Sequence, residues 1–386
     1  MLMLSKKECW FPSLGLGLLM FLGATLWMSQ EAHAQSCAVY KKAAQIAVMS
    51  NKSLNESSGL AASRKNPGVW WSHNDSGGQP RLFAFDETGK DLGYFTVSGA
   101  TNIDWEDMAA APCPNGSPCL YIADFGDNAR RRSEVVVYRV LEPKVENKQN
   151  RGVTSPATKF ILKYPDGAHD CEALLVHPKT RDIFLYTKLN NSTTVLYRLA
   201  GSAQPGSHTL EKVATYNFPS DLVTGGDFSP QGDQLVLRGY TYGLVYNVDQ
   251  RGYPDLGKKP VRIDTGATIQ GEAIAYSADG TYLIATSERV PTPILKLACA
   301  VGGEPWPEPT PEPAAEEPKP APNEPQPTQD AGDIQESAVD NSQPKESPDT
   351  PGSSSCSCSG LALNTDVGSW LGCLLILLGA LRLRRW

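Results

Sequence analysis

Along residues 37–301, short apolar runs alternate with polar turn residues, and the same order of runs recurs five times. Each round opens on a polar or acidic residue and a first run: 56–61 (ESSGLA), 105–109 (WEDMA), 171–176 (CEALLV), 225–229 (GGDFS) and 271–276 (GEAIAY). A second run follows at 69–71, 120–123, 183–186, 234–237 and 282–285, and a third at 82–85, 136–140, 195–199, 244–248 and 294–297. A fourth is legible at 93–97, 159–162, 213–216 and 261–263. Short apolar runs set between turn residues read as strands. A recurring group of four reads as one blade, so the pattern predicts an all-β propeller.

The last round lacks a fourth run, whereas 44–48 (AQIAV) is a strand with no round of its own. It is expected to complete the last blade and close the ring. Five blades take about 53 residues each; six, the alternative, would take about 44 and need a further motif. Cysteine placement agrees with closure. Cys37 and Cys299 flank the two strands that meet in the closing blade, and Cys113 and Cys119 bracket a loop short enough to staple. Cys171 is left over, expected buried and unpaired.

The flanks carry different signals. Residues 1–34 read as an export signal, with Lys6 and Lys7, an apolar run from Phe11 to Met28, and Ala32-His33-Ala34 as the cleavage site. Residues 302–355 form a proline-rich acidic spacer with 13 prolines, 12 acids and 2 lysines. Such a segment cannot bury enough apolar surface to fold. Residues 356–386 hold the cysteine pair Cys356 and Cys358, an apolar stretch from Val367 to Leu381, and Arg382, Arg384 and Arg385. This tail resembles the C-terminal sorting signals of myxobacterial and related surface proteins; a plain membrane anchor is the alternative. The expected location is therefore the cell surface or outer membrane, with the bulk of the chain outside the cytoplasm.

Charge changes the picture once it is divided by region. The net charge of -7 arises in the spacer, and the propeller itself is close to neutral. With no basic stripe, nucleic acid is excluded as a partner. The propeller is expected to be a monomer that meets an extracellular ligand or envelope partner.

Candidate chemistry collects at one end of the blades. In an antiparallel sheet the start of the first strand and the end of the second share an edge, so both face one mouth of the channel. The starts supply Glu56, Glu106, Glu172, Asp227 and Glu272. Five acids around one axis call for a hard cation with six to eight oxygen ligands, and a central Ca²⁺ is expected. The alternative is that they cap turns or accept neighbouring backbone N–H groups. The strand ends supply His73, Asn74, Asp75, Asp124, Asp127, Asn128, Lys188, Arg238 and Glu288. Of these His73, Asn74, Asp75, Asp127, Asn128, Lys188 and Arg238 are candidate ligand-binding residues, and Asp124 and Glu288 are candidates to position a water. No zinc spacing, phosphate loop or convincing Ser-His-Asp set is present.

The segments Glu56-Ser57-Ser58-Gly59-Leu60, 66–77 (NPGVWWSHNDSG), Asp104-Trp105-Glu106-Asp107 and Gly126-Asp127-Asn128 resemble a family of secreted bacterial β-propellers of unassigned activity. More distantly, the architecture is similar to calcium-dependent phytases, calcium-activated nucleotidases and SdiA-regulated-type propellers. The nucleotidase resemblance implies a central Ca²⁺ held at the blade starts, where Glu56, Ser57, Glu106, Glu172 and Glu272 stand. The phytase resemblance implies a basic phosphate site, for which Lys188 and Arg238 are the counterparts. A ligand-binding module is therefore expected first, and a calcium-dependent phosphoester hydrolase second.

Overall fold

The computed structural model describes residues 37–300 apart from 147–149, 190–191, 219–221, 267–269 and 289. The segments expected to serve as export signal, spacer and sorting tail, 1–34, 302–355 and 356–386, lie outside the described residues. Among the described residues every element is a strand, and the strands form five sheets. An N-terminal strand, β1 (Ala44–Val48), comes first. Blade one is β2 (Ser57–Ala62), β3 (Trp70–Asn74), β4 (Arg81–Phe85) and β5 (Asp91–Thr96). Blade two is β6 (Trp105–Pro112), β7 (Pro118–Asp124), β8 (Val135–Leu141) and, after a short β9 (Asn150–Val153), β10 (Thr158–Lys163). Blade three is β11 (Cys171–Val176), β12 (Ile183–Thr187), β13 (Thr193–Leu199) and, after a short β14 (Gly206–Thr209), β15 (Glu211–Asn217). Blade four is β16 (Gly225–Phe228), β17 (Gln234–Arg238), β18 (Gly243–Asn247) and β19 (Val261–Ile263); blade five is β20 (Gly271–Tyr276), β21 (Tyr282–Ser287) and β22 (Pro293–Ala298).

The ring closes as the pattern requires. β1 pairs antiparallel with β22, giving blade five the order β1-β22-β21-β20. The Cys37–Cys299 disulfide spans 262 residues and pins that junction, Cys113–Cys119 staples the β6–β7 hairpin, and Cys171 is free and buried. The five first strands touch in the cycle β2, β6, β11, β16, β20 and back to β2, and so line the axis.

The core explains why the strands are apolar on both faces. It is five layers, one between each pair of neighbouring blades. Along β7, Leu120 and Ile122 enter the layer shared with blade one, while Cys119, Tyr121 and Ala123 enter the layer shared with blade three. Successive side chains point to opposite faces, so a strand between two blades needs apolar residues at both parities. First and second strands therefore read as continuous apolar runs.

Two strands escaped the sequence pattern. β9 pairs parallel with β5, and β14 pairs parallel with β10, so blades one and two have five strands. Each added strand comes from the third-to-fourth connection of the following blade. His208, which the pattern leaves in a loop, lies on β14. Asn-Arg-Gly-Val and Gly-Ser-His-Thr are short and polar, without the alternation that marks a half-buried strand.

Candidate functional site

Carboxylates gather where first strands begin and second strands end. Asp75 follows β3, Asp104 precedes β6 and Glu106 is its second residue; one oxygen from each lies within 4.8 Å of the others. Irregular register at the start of β6, between Trp105 and Met108, lets consecutive residues turn differently. Asp104 is held by its backbone, whose N–H donates to Asp124 Oδ1 at 3.2 Å. Gly126 packs so closely that a Cβ there would collide with Glu106 Oε1 and Asp104 Oδ2.

Two further acids extend the cluster. Glu172, on β11, is 2 % exposed and accepts Lys188 Nζ at 2.9 Å; Glu272, on β20, is 4 % exposed. Asp75 Oδ1 and Glu272 Oε2 are buried and find no hydrogen-bond partner among the described residues. Lys188 lies 5.3 Å from the Tyr240 ring centroid and also faces Glu272.

This crowding alters proton affinities. Burial, then the neighbouring Asp104, pushes the Asp75 carboxyl up to about 6. Burial pushes Glu172 up to about 7 despite Lys188, and burial followed by Glu172 raises Glu106 and Glu272 well above the usual range. Burial alone would lower the Lys188 ammonium, but Glu172 and Glu272 outweigh it and raise it. Two carboxylates about 5 Å apart repel by about 3 kcal/mol at an effective dielectric near 20. The cluster therefore either holds protons or neutralises its charge with a cation.

The other candidates are placed as follows. Asp227 stands apart from the mouth cluster: it accepts Tyr276 N–H at 3.0 Å, and its carboxyl, raised to about 7 by burial, faces Arg64. Beside it on the axis, the fully buried Asp107 accepts Leu174 N–H at 2.9 Å and Gly226 N–H at 3.2 Å, tying blade two to blades three and four. Glu56 is half-buried just before β2. His73 is fully buried, packs edge-on against Trp105 with centroids 5.3 Å apart, and is lowered to about 4 by desolvation. Asn74 accepts Asn55 N–H and Glu56 N–H and donates to Ser53 O at 2.7 Å, tying down the loop before β2.

Asp124 is fully buried and receives Arg132 Nη2 at 2.8 Å besides the backbone N–H of Asp104. Asp127 is buried with its Oδ2 on Arg132 N–H, and Asn128 is exposed. Arg238 is fully buried, and its Nη1 donates to Ala273 O at 2.7 Å and Thr286 O at 2.6 Å. Glu288, half-buried, accepts Gln270 Nε2 at 3.1 Å. The residue that sequence reasoning passed over as a ligand is Asp104. Its signal is the Asp-Trp-Glu-Asp run, in which only Glu106 stands at the blade start that the repeat marks.

No family model matches the chain, and no curated protein is significantly similar to it.

Proposed function

We propose that this chain is an exported, surface-anchored propeller that holds a divalent cation, Ca²⁺, at the acidic mouth and binds an extracellular ligand there. The observation that carries the reading is the convergence of Asp75, Asp104 and Glu106, with oxygens within 4.8 Å of one another. Oxygens about 2.4 Å from one ion, as Ca²⁺ requires, lie no further apart than that. The donor set is entirely oxygen, which suits a hard cation. A bound cation would neutralise the cluster and leave positions for oxygen groups of a ligand. Glu172 and Glu272 would border this site, whereas Asp227 and Asp107 serve the axis. Export by residues 1–34, reach through 302–355 and anchoring by 356–386 rest on the sequence features described above, as does likeness to the secreted propellers.

Calcium-dependent phosphoester hydrolysis is less well supported. It needs cations free to grip phosphate, yet Lys188 is paired with Glu172 and Arg238 is buried on carbonyl oxygens. Asp124, the candidate to position a water, is already engaged with Arg132. The test is to incubate the chain with Ca²⁺ and nucleotides, phytate and simple phosphoesters, beside Glu106→Ala and Asp124→Ala variants. Saturable binding without turnover agrees with the binding module; turnover lost in both variants would replace it with the hydrolase.

A further inference from the structure

Four of the five first strands open on the same irregularity. The register slips between Ser57 and Gly59, between Trp105 and Met108, between Cys171 and Ala173, and between Gly271 and Ile274. Such a bulge re-aims the side chain it carries, and the residues at these places include Ser58, Glu106, Glu172 and Glu272. Blade four differs: β16 pairs with β17 without a slip and opens on Gly225-Gly226. A Cβ at Gly225 would lie 2.7 Å from Glu272 O, and one at Gly226 would lie 2.6 Å from Val236 O, so neither place admits a side chain. These positions of blade four therefore send nothing between Glu172 of blade three and Glu272 of blade five.

Lys188 takes that place. Its backbone is fixed just past the end of β12, where its N–H donates to Asp170 O at 2.9 Å. Its ammonium lies 2.9 Å from Glu172 Oε1, faces Glu272 next, and has the Tyr240 ring of blade four 5.3 Å away. The side chain is 14 % exposed, and its charge also reaches Asp75 across the mouth. Beside it the buried Glu272 Oε2 finds no hydrogen-bond partner among the described residues. This half of the mouth thus already holds one cation, fixed to the chain, and still offers a buried acceptor.

We infer that Lys188 sets how many metal ions the mouth takes: its ammonium occupies a second cation position, between Glu172 and Glu272, and confines divalent ions to Asp75, Asp104 and Glu106. This inference rests on the cation reading above. An ammonium and a hard metal ion seek the same carboxylate oxygens, but a tethered group competes at a fixed effective concentration whatever the metal concentration. The consequence is chemical. Two-metal phosphoester hydrolysis uses ions about 3.5–4 Å apart to clamp the attacking and the leaving oxygen. With Lys188 in place the mouth holds one ion, enough to seat a ligand oxygen and too few for that clamp. Lys188 is in this sense a specificity-determining residue, keeping a binding mouth from becoming a two-metal one.

The test counts ions. Ca²⁺ is titrated by calorimetry into the EDTA-treated full chain, into Lys188→Met, which keeps the length without the charge, and into Lys188→Arg, which keeps the charge; a melting curve accompanies each. One ion is expected in the parent and in Lys188→Arg. Two are expected in Lys188→Met, the second at least about tenfold weaker, since Glu172 and Glu272 supply two carboxylates where the first site has three. Adding Glu272→Gln to Lys188→Met should abolish the second ion and keep the first. Two ions in the parent, one ion in folded Lys188→Met, or a second ion that survives Glu272→Gln would each overturn the inference, the first of these whether or not the variants fold. No ion in the parent would instead remove the cation reading on which the inference rests.

Discussion

Glu142 offers a sharp test of how the blades are locked together. It follows β8 at the end of the blade away from the acidic cluster, is 1 % exposed, and collects donors from blade one. Trp71 Nε1 reaches it at 2.9 Å, Asn66 Nδ2, Arg64 N–H and Lys65 N–H at 3.1 Å each, and Ser63 Oγ also donates. Glu142→Ala leaves these groups without their acceptor. The indole of Trp71 and the amide of Asn66 are themselves buried, and each unsatisfied buried donor costs about 1–3 kcal/mol. Allowing for some water entry, the loss should be about 3–5 kcal/mol, the size seen when a buried charge partner is removed. For a domain of this size that lowers the melting midpoint by about 10 °C. Glu142→Gln keeps one carbonyl oxygen and should lose about half as much. Urea denaturation followed by tryptophan fluorescence measures both. A loss below about 1 kcal/mol for the alanine variant would refute the idea that this carboxylate latches blade one to blade two.

Three other expectations follow from the same geometry. Replacing Cys37 and Cys299 together by serine opens the ring closure and should cost about 2–5 kcal/mol in chemical denaturation, whereas the Cys113–Cys119 pair, closing a much shorter loop, should cost about 2 kcal/mol or less. Gly126→Ala meets only the ends of the Glu106 and Asp104 side chains, so the fold should survive while cation affinity falls at least tenfold, read by calorimetry beside a melting curve. Without divalent cation, Asp75, shifted from 3.8 to about 6, and Glu172, from 4.5 to about 7, bind protons more tightly when folded. Their contribution is full below the unfolded values and is lost as pH rises through about 6 and about 7. His73, lowered from 6.5 to about 4, has the opposite sign and contributes stability above 6.5 that is lost as pH falls through about 4. An Asp75→Asn, Glu172→Gln variant should therefore lose less stability than the parent as pH rises through this window, and an unchanged slope would count against the raised carboxyls.

Much of the ring was legible because blade strands bury both faces. Runs such as Leu120-Tyr121-Ile122-Ala123 have no polar alternation to lose, and their recurrence marks the blades. Closure was legible from Cys37, Cys299 and the spare strand at 44–48. β9 and β14 were not, because they are held by backbone pairing to an edge and their side chains contribute little apolar pattern. The site divides in the same way. Acidic blade starts identified Glu106, Glu172 and Glu272, which the fold does bring to one end. Sequence position could not separate Glu106 from Asp107, adjacent residues with different partners, nor show that Asp227 accepts a backbone N–H deeper on the axis. Arg238 and His73 carry the side chains of binding sites, yet both are fully buried and bonded to carbonyl oxygens. Burial of that kind depends on which blades meet, and a local motif does not encode it.

The central claim is that the acidic mouth binds a hard cation. The most direct measurement is calorimetric titration of Ca²⁺ into EDTA-treated full chain, repeated with Asp104→Asn and Glu106→Gln. Saturable binding of Ca²⁺ with a rise in melting temperature, both lost in either variant, is the result expected. Absence of heat and of any melting shift in the parent protein, or binding that survives both substitutions, would contradict it.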